Sequence, residues 1–161
     1  MSQFHPTDIR PLAGQEREET ARLFHSVWHE TQAQLQDPRQ ARARPLAFFA
    51  ARIETRFATT LVGVANGHLA GFVTWTGNIL NSLFVKPEFR GLGIGEALCH
   101  RAEEEMAKTG TTQFDLDCIC GNTAGRRFYE RQGWRVSHIE TLENETPEGP
   151  CKTQAWRMIK P

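Results

Sequence analysis

Long apolar runs, an excess of either charge and a basic leader pattern are all missing from this sequence. No segment reaches the roughly 18 apolar residues of a membrane-spanning helix, and Asp8 and Arg10 interrupt the N-terminus early. Lysine plus arginine and aspartate plus glutamate number 19 each, which favours neither nucleic acid nor a membrane as partner. We therefore expect no secretion signal and a cytoplasmic location, although a local basic patch stays open.

Cysteine is also scarce, and the four cysteines are not spaced as metal ligands. Cys99 falls in a helical pattern, and Cys118 and Cys120, two positions apart, lie on one face of a strand pattern. A buried apolar role suits such cysteines, because a zinc site needs more ligands gathered at suitable spacing. We expect no metal.

The order of elements predicts an α/β fold in one domain that spans residues 1–161. Helical spacing covers about residues 16–35, with Asp37-Pro38 as its end, and resumes at Pro45. Later helices are predicted over residues 95–108 and, capped by Asn122, up to Gly133. Strands are predicted at residues 59–65, 69–76, 79–85, 111–120, 134–142 and 152–159, with a polar turn at 143–150. This order indicates a mixed sheet with helices on both faces.

The most informative segment is Arg-Gly-Leu-Gly-Ile-Gly at residues 90–95, between a predicted strand and a predicted helix. Glycines let the backbone approach a ligand, and the N–H groups of the next helix's first turn favour a pyrophosphate. A P-loop would need Lys and Ser or Thr where Glu96 and Ala97 stand. A dinucleotide fingerprint would need glycine at Glu96 or Leu98. A tight turn without a ligand is the remaining alternative.

This segment resembles the Arg/Gln-x-x-Gly-x-Gly/Ala motif of the GNAT (Gcn5-related) superfamily of N-acetyltransferases. The runs GHLAGFV at 67–73 and LFVKPEF at 83–89 are also similar to that family. NTAGRRFYERQGW at 122–134 resembles its Asn-x-x-Ala-x-x-Phe-Tyr-x-x-x-Gly-Phe, with Gly125 for Ala and Trp134 for Phe. The resemblance implies a mixed, mostly antiparallel sheet of six or seven strands with a splayed central pair.

The resemblance also implies acetyl-CoA as the co-substrate. Backbone amides of the glycine turn would bind the pyrophosphate, and the strand before the turn would pair with the pantetheine arm. A main-chain N–H in the gap between the splayed strands would hold the oxyanion. The implied cofactor-binding residues are Leu83, Phe84, Val85, Arg90, Gly91, Leu92, Gly93, Ile94, Gly95, Asn122 and Phe128.

Tyr129 is the catalytic residue that the resemblance implies first. It matches the family tyrosine that donates a proton to the coenzyme A sulfur, and it is the only tyrosine in the chain. A phenol of pKa about 10 can protonate a thiolate whose conjugate acid has a pKa of about 8.5 at small cost. The alternative is an aromatic that only packs beside Phe128.

The general base is less well specified. Many relatives carry a Glu on the strand before the glycine turn, where this chain has only Asn81 and Ser82. Asp117 matches a Glu that relatives acting on protein N-termini use as base, which the resemblance implies acts through water. Strand alternation puts Asp115 and Asp117 on one face, which could equally be a solvated face. The other candidates are Glu88, His25, His29 and a water chain without a dedicated base.

We therefore predict transfer of an acetyl group from acetyl-CoA to a primary amine by direct attack. The acceptor is a small molecule or a peptide, and a homodimer is left open. Trp28 and Trp75 are candidates for the acceptor pocket, and Arg126 and Arg127 for contacts with phosphate or for simple exposure. The alternatives are a non-catalytic sensor that binds acetyl-CoA, or the same enzyme with a longer acyl donor.

Overall fold

The computed structural model describes residues 8–161, and its strands form one sheet of seven. The order across the sheet is β1-β2-β3-β4-β5-β7-β6, and every neighbouring pair is antiparallel except β4 with β5. The strands are β1 (Ile9–Pro11), β2 (Thr60–Ala65), β3 (His68–Thr76), β4 (Ile79–Val85), β5 (Phe114–Ile119), β6 (Arg135–Thr146) and β7 (Gly149–Lys160). The predicted α/β class and mostly antiparallel sheet are confirmed. Residues 1–7 of the predicted domain lie outside the described range.

Helices cover both faces of the sheet, as predicted. They are α1 (Arg17–Thr31), α2 (Pro38–Arg42), α3 (Leu46–Thr55), α4 (Ile94–Ala107) and α5 (Thr123–Arg131). The apolar faces of α1 and α3 pack with Phe72 and Phe84 in one core, while α4 packs with Leu116 and Met158 in the other. None of these helices of residues 8–161 is long and apolar enough to cross a bilayer.

The centre of the sheet is splayed, because β4 and β5 pair only at Ile79 and Asp115. Each strand keeps its outer neighbour: β4 pairs along its length with β3, and β5 with β7. The register of β3 with β4 shifts after Thr74, so that Asn81 is an extra residue in β4. Such a bulge bends a strand and increases its twist. The predicted splayed pair is therefore confirmed, and a gap separates the two strands beyond Ile79.

The predicted polar turn at residues 143–150 is wrong. Strands β6 and β7 continue through this segment and pair as far as Thr146 and Gly149, which leaves only Pro147 and Glu148 between them. The segment is polar because its side chains alternate and most point to solvent, whereas Cys151 is buried. Polar composition marks exposure here rather than a loop.

The N-terminal third also differs from the sequence prediction. Helix α1 ends at Thr31, and Asp37-Pro38 begins α2 instead of only ending a helix. The Asp37 carboxylate accepts the Arg39 N–H at 2.9 Å, which is an N-cap bond. The edge strand Ile9–Pro11 was not predicted, because three residues show no periodicity.

Substitution of Gly71 should destabilise the sheet beside the gap. A Cβ on Gly71 would lie 2.8 Å from the Phe84 carbonyl oxygen and 3.1 Å from Val85 Cγ2, so strand β4 would have to shift. We expect Gly71→Ala to lower the free energy of unfolding by about 1–3 kcal/mol in urea denaturation. Gly14→Ala is the control, since its Cβ would meet only Arg17 Nη2 at 4.0 Å. Equal stability of the two variants would contradict the close approach.

Candidate active site

The gap between β4 and β5 opens into a cavity of about 640 Å³. One wall is formed by residues 80–85 of β4 and 116–119 of β5, and others by α1, α5 and the chain from Arg44 to Arg56. Aromatic and aliphatic side chains make up somewhat over half of the lining, and the remainder includes four arginines and several uncharged polar groups. The lining includes nine of the predicted site residues, which are Leu83, Phe84, Val85, Arg90, Gly95, Asp117, Asn122, Phe128 and Tyr129.

The glycine turn ends beside this cavity, at the start of α4. Gly91 and Gly93 have φ of 80° and 84°, the left-handed region that favours glycine, and a Cβ on either would meet nothing within 4 Å. The first backbone hydrogen bond of α4 runs from Ala97 N–H to the Gly93 carbonyl oxygen at 3.1 Å. The N–H groups before it therefore have no partner within the helix. The Ile94 side chain is buried in the core, so only its main chain is available.

Helices α4 and α5 meet at this corner through Gly95. A Cβ on Gly95 would lie 3.3 Å from Phe128 Cε1 and 3.8 Å from Val85 Cγ2. Glycine here lets Phe128 and the end of β4 close on the first turn of α4. Arg90 extends along the same edge, where its Nε donates to the Val85 carbonyl oxygen at 3.3 Å and its Nη1 to Glu30 at 3.1 Å.

Tyr129 faces the cavity from α5. Its ring packs edge-on against Phe128 and Trp134, with centroids 5.2 and 6.1 Å apart. Burial raises the pKa of the phenol well above its usual value, so the hydroxyl is a protonated donor at neutral pH. Among residues 8–161 the hydroxyl has no hydrogen-bond partner, so its proton is available to a group that enters the cavity.

Asn122 begins α5, as predicted, and its carboxamide oxygen accepts the Gly125 N–H at 3.0 Å. A Cβ on Gly125 would lie 2.5 Å from Asn122 Nδ2. Glycine in place of the family's alanine therefore makes room for this cap. The cap uses the oxygen of Asn122 and leaves its Nδ2 group free for another acceptor in the cavity wall.

Asp117 is the one carboxylate among the described residues that line the cavity. Arg157 on β7 donates to both of its oxygens, from Nε at 3.0 Å and from Nη2 at 3.3 Å. Arg157 also contacts Asp115 at 3.4 Å and Glu140 at 3.0 Å. Burial raises the pKa of Asp117, and the Arg157 charge opposes that rise. The half-buried acid pair of β5 is thus an ion-paired cluster, not a solvated face.

Comparison with known proteins now assigns these elements to a family. Residues 15–134 match the acetyltransferase (GNAT) family. This chain belongs to the GNAT family. The match contains the splayed strand β4, the glycine turn, β5 and the helix that carries Tyr129.

Three individual GNAT relatives share between 21% and 38% sequence identity with this chain. An uncharacterized N-acetyltransferase of Methanocaldococcus jannaschii is 34% identical over 92 residues, which cover 56% of this chain and 54% of that protein. The thialysine N-ε-acetyltransferase of Sus scrofa is 38% identical over 80 residues, 43% of this chain and 47% of that protein. The chain thus spans about half the length of these curated relatives. The PaiA N-acetyltransferase of Thermoplasma acidophilum, solved with coenzyme A, shares the fold at a TM-score of 0.68 and 21% identity, over 99% of this chain and 98% of that one.

Other candidates from the sequence lie outside the GNAT cavity. Glu88, His25 and His29 do not line it, and His29 Nε2 instead hydrogen-bonds the Arg44 carbonyl oxygen at 2.8 Å. Trp28 lines the cavity, whereas Trp75 belongs to the core against α4. The Arg126 guanidinium stacks on the Trp156 ring, 4.8 Å from the ring centroid. Arg127 and Leu92 are exposed. Within residues 8–161 no group of His, Cys, Asp and Glu could hold a metal ion.

Sequence reasoning missed three arginines of the cavity wall, Arg44, Arg52 and Arg56. One signal was present, because the segment from Arg39 to Arg56 contains five arginines and a single carboxylate, Glu54. A neutral total charge concealed this local excess of positive charge. Their convergence on the cavity depends on how α3 packs, which no local pattern reveals.

Replacing Arg157 should change the titration of Asp117. Because the guanidinium charge stabilises the carboxylate while burial destabilises it, we expect Arg157→Gln to raise the pKa of Asp117 further. The measurement is a pH titration of the Asp117 carboxyl carbon by NMR. Arg135→Gln, at an exposed position of β6, is the control and should leave that pKa unchanged. An unchanged value in Arg157→Gln would contradict the ion pair.

Proposed function

We propose that the protein transfers an acetyl group from acetyl-CoA to a primary amine. The observation that carries this proposal is the continuous gap from the open glycine turn, past the protonated Tyr129 hydroxyl, to a second wall built by α1 and α3. The names of its GNAT relatives and the coenzyme A in the Thermoplasma acidophilum structure support it.

The donor would lie along the unpaired edge of β4. The residues present fit its phosphates, since a Cβ would meet nothing at Gly91 or Gly93 and the adjoining N–H groups are open. The backbone of Gly91–Gly95, with Leu92 and Ile94 serving through their main chain, would hold the pyrophosphate. The main chain of Leu83–Val85 would pair with the pantetheine arm, with Phe128 as a side wall and Asn122 Nδ2 as a donor.

Transfer needs an amine, a thioester, a hydrogen-bond donor for the oxyanion and a proton donor for the departing thiolate. The neutral amine attacks the thioester carbonyl carbon, the C–N bond forms, and the carbonyl electron pair moves to oxygen. A main-chain N–H of β4 in the gap holds that oxyanion. Collapse reforms the carbonyl and breaks the C–S bond, the departing thiolate takes the proton of Tyr129, and the new amide nitrogen gives up its extra proton to water. The tyrosinate regains a proton from solvent.

The amine must also lose a proton, because an alkylammonium has a pKa of about 10. We infer that Asp117 accepts this proton through water. Its location in the cavity wall and its raised pKa support that role. Arg157 would act as a positioning residue that holds the carboxylate on the β5 side of the gap.

The glycine turn can be tested by donor binding. Gly93→Val places a branched side chain where the phosphates would lie and strains a φ of 84°. We expect acetyl-CoA to raise the melting temperature of the wild-type chain and not of Gly93→Val. Gly110→Val is the matched control, because Gly110 has a φ of 86° and equal open space at the far end of α4. Retained stabilisation in Gly93→Val would remove the turn from the donor site.

The role of Tyr129 can be tested by separating turnover from binding. Tyr129→Phe keeps the ring contacts with Phe128 and Trp134 and removes only the proton. We expect kcat to fall about 10²-fold or more, as for loss of a general acid, while the dissociation constant of acetyl-CoA stays within a few-fold. Release of the free coenzyme A thiol measures kcat, and calorimetric titration measures the dissociation constant of acetyl-CoA. Equal loss of both would make Tyr129 a packing residue.

The same thiol assay decides between this proposal and its alternatives. A sensor would be stabilised by acetyl-CoA and release no thiol with any of a broad panel of amines. An enzyme for longer acyl donors would turn over propionyl-CoA or succinyl-CoA faster than acetyl-CoA. Either result would replace the acetyl transfer proposed above.

A further inference from the structure

Three arginines converge on the cavity from the side opposite the glycine turn. Arg52 and Arg56 lie one helical turn apart, on α3 and at its end, and Arg44 lies in the link between α2 and α3. All three line the cavity and all are partly buried. We refer to Arg44, Arg52 and Arg56 as the arginine group.

Aromatic and polar contacts hold these guanidinium groups in place. Arg44 lies over the rings of Trp28 and Phe48, at 4.7 and 4.8 Å from the centroids, and Arg52 lies over Phe48 at 4.6 Å. Arg56 Nη1 donates to Ser82 Oγ at 3.4 Å, next to the bulge of β4. The group is therefore ordered before any acceptor binds, which lowers the entropic cost of binding one.

The arginine group lacks the anionic partners that most other arginines of residues 8–161 have. Among residues 8–161, none of its members forms an ion pair, and Asp117, the only carboxylate of the lining, is taken by Arg157. Ion-paired arginines of the described chain include Arg10, Arg17, Arg22, Arg39, Arg42 and Arg90. A partly buried set of like charges without a counterion is unfavourable, and an anion in the cavity would relieve that cost.

Burial gives independent support for this charge imbalance. It lowers the pKa of Arg44 and of Arg56 to about 10, and the neighbouring Arg52 charge adds to the effect on both. Burial lowers the pKa of Arg52 as well. All three stay protonated at neutral pH, so the cavity presents three charged donors.

The phosphates of coenzyme A do not account for the arginine group. Those phosphates would lie on the turn that follows Val85, whereas Arg56 contacts Ser82. Three residues of strand separate the two positions by roughly 10 Å. The arginine group thus faces the acceptor end of the gap.

We propose that the acceptor is a primary amine that also carries an oxyanion group, a carboxylate or a phosphonate or phosphate, which the arginine group binds. Arginine matches such groups through two parallel N–H bonds. With the oxyanion held by Arg44, Arg52 and Arg56, a short linker would place the amine beside Ser82 and the thioester. This proposal rests on the proposed acetyl transfer and narrows its substrate class.

The test compares small amines of similar size and different charge in the thiol-release assay with acetyl-CoA. The probes are 3-aminopropionate, 2-aminoethylphosphonate, propylamine and 1,3-diaminopropane. We expect kcat/KM to be at least about ten-fold higher for one or both anionic amines than for the other two, since a site built for a charged group discriminates strongly against its absence. The ratio between the two anionic amines distinguishes a carboxylate from a phosphonate acceptor.

Variants assign the preference to the arginine group. In Arg52→Gln/Arg56→Gln the advantage of the anionic amine should fall to within about three-fold of propylamine, mainly through KM, because the lost contacts act in binding. Arg42→Gln is the matched control, since Arg42 is exposed and pairs with Glu148 outside the cavity. It should keep the wild-type preference. Melting temperatures check that both variants are folded.

The outcomes separate the two proposals. If propylamine or the diamine reacts as fast as the anionic amines, the anionic acceptor is overturned and acetyl transfer stands. If no amine releases thiol, acetyl transfer fails, and calorimetric titration of 2-aminoethylphosphonate and 3-aminopropionate into the protein saturated with coenzyme A judges the anion site alone. The anion site is supported if the wild-type chain binds either compound and the Arg52→Gln/Arg56→Gln variant does not. It is overturned if the wild-type chain binds neither.

Discussion

The missing hydrogen bonds between β4 and β5 are the constraint on which the rest of this structure depends. Past Ile79 and Asp115 the two strands separate, so backbone groups in the middle of a sheet face a cavity instead of each other. The sheet stays intact because β3 holds β4 and β7 holds β5. Buried backbone polar groups need partners, and a ligand with its own amides can provide them here.

Two separate cores keep the gap open. An aromatic cluster of Phe24, Phe49, Phe72 and Phe84 fixes β4 against α1 and α3, while α4 and α5 pack on the opposite face with Leu116 and Met158. Each strand is thereby anchored by its own outer neighbour and by the helices, and both contribute to the second core through Leu80 of β4 and Leu116 of β5. The cavity is consequently part of the folded architecture and not a packing defect.

Charge is distributed unevenly across this gap. The positive ends are the first turn of α4 and the arginine group, and Asp117, the one carboxylate that lines the cavity in the described part of the chain, is bound to Arg157. Tyr129 lines the same cavity as a neutral donor. A chain with balanced total charge thus surrounds its cavity with positive charge, which local arrangement and not composition produces.

Sequence by itself determined the features that local chemistry encodes. Gly91 and Gly93 permit a left-handed backbone, Asn122 caps α5, and alternation places Asp115 and Asp117 on one face. Each of these features depends on residues a few positions apart. Tertiary structure decided the rest, because those contacts join distant segments. Asp117 meets Arg157 forty positions later, and Arg56 meets Ser82 only when α3 packs beside β4. The polar strands β6 and β7 likewise pair through backbone bonds that side-chain composition conceals.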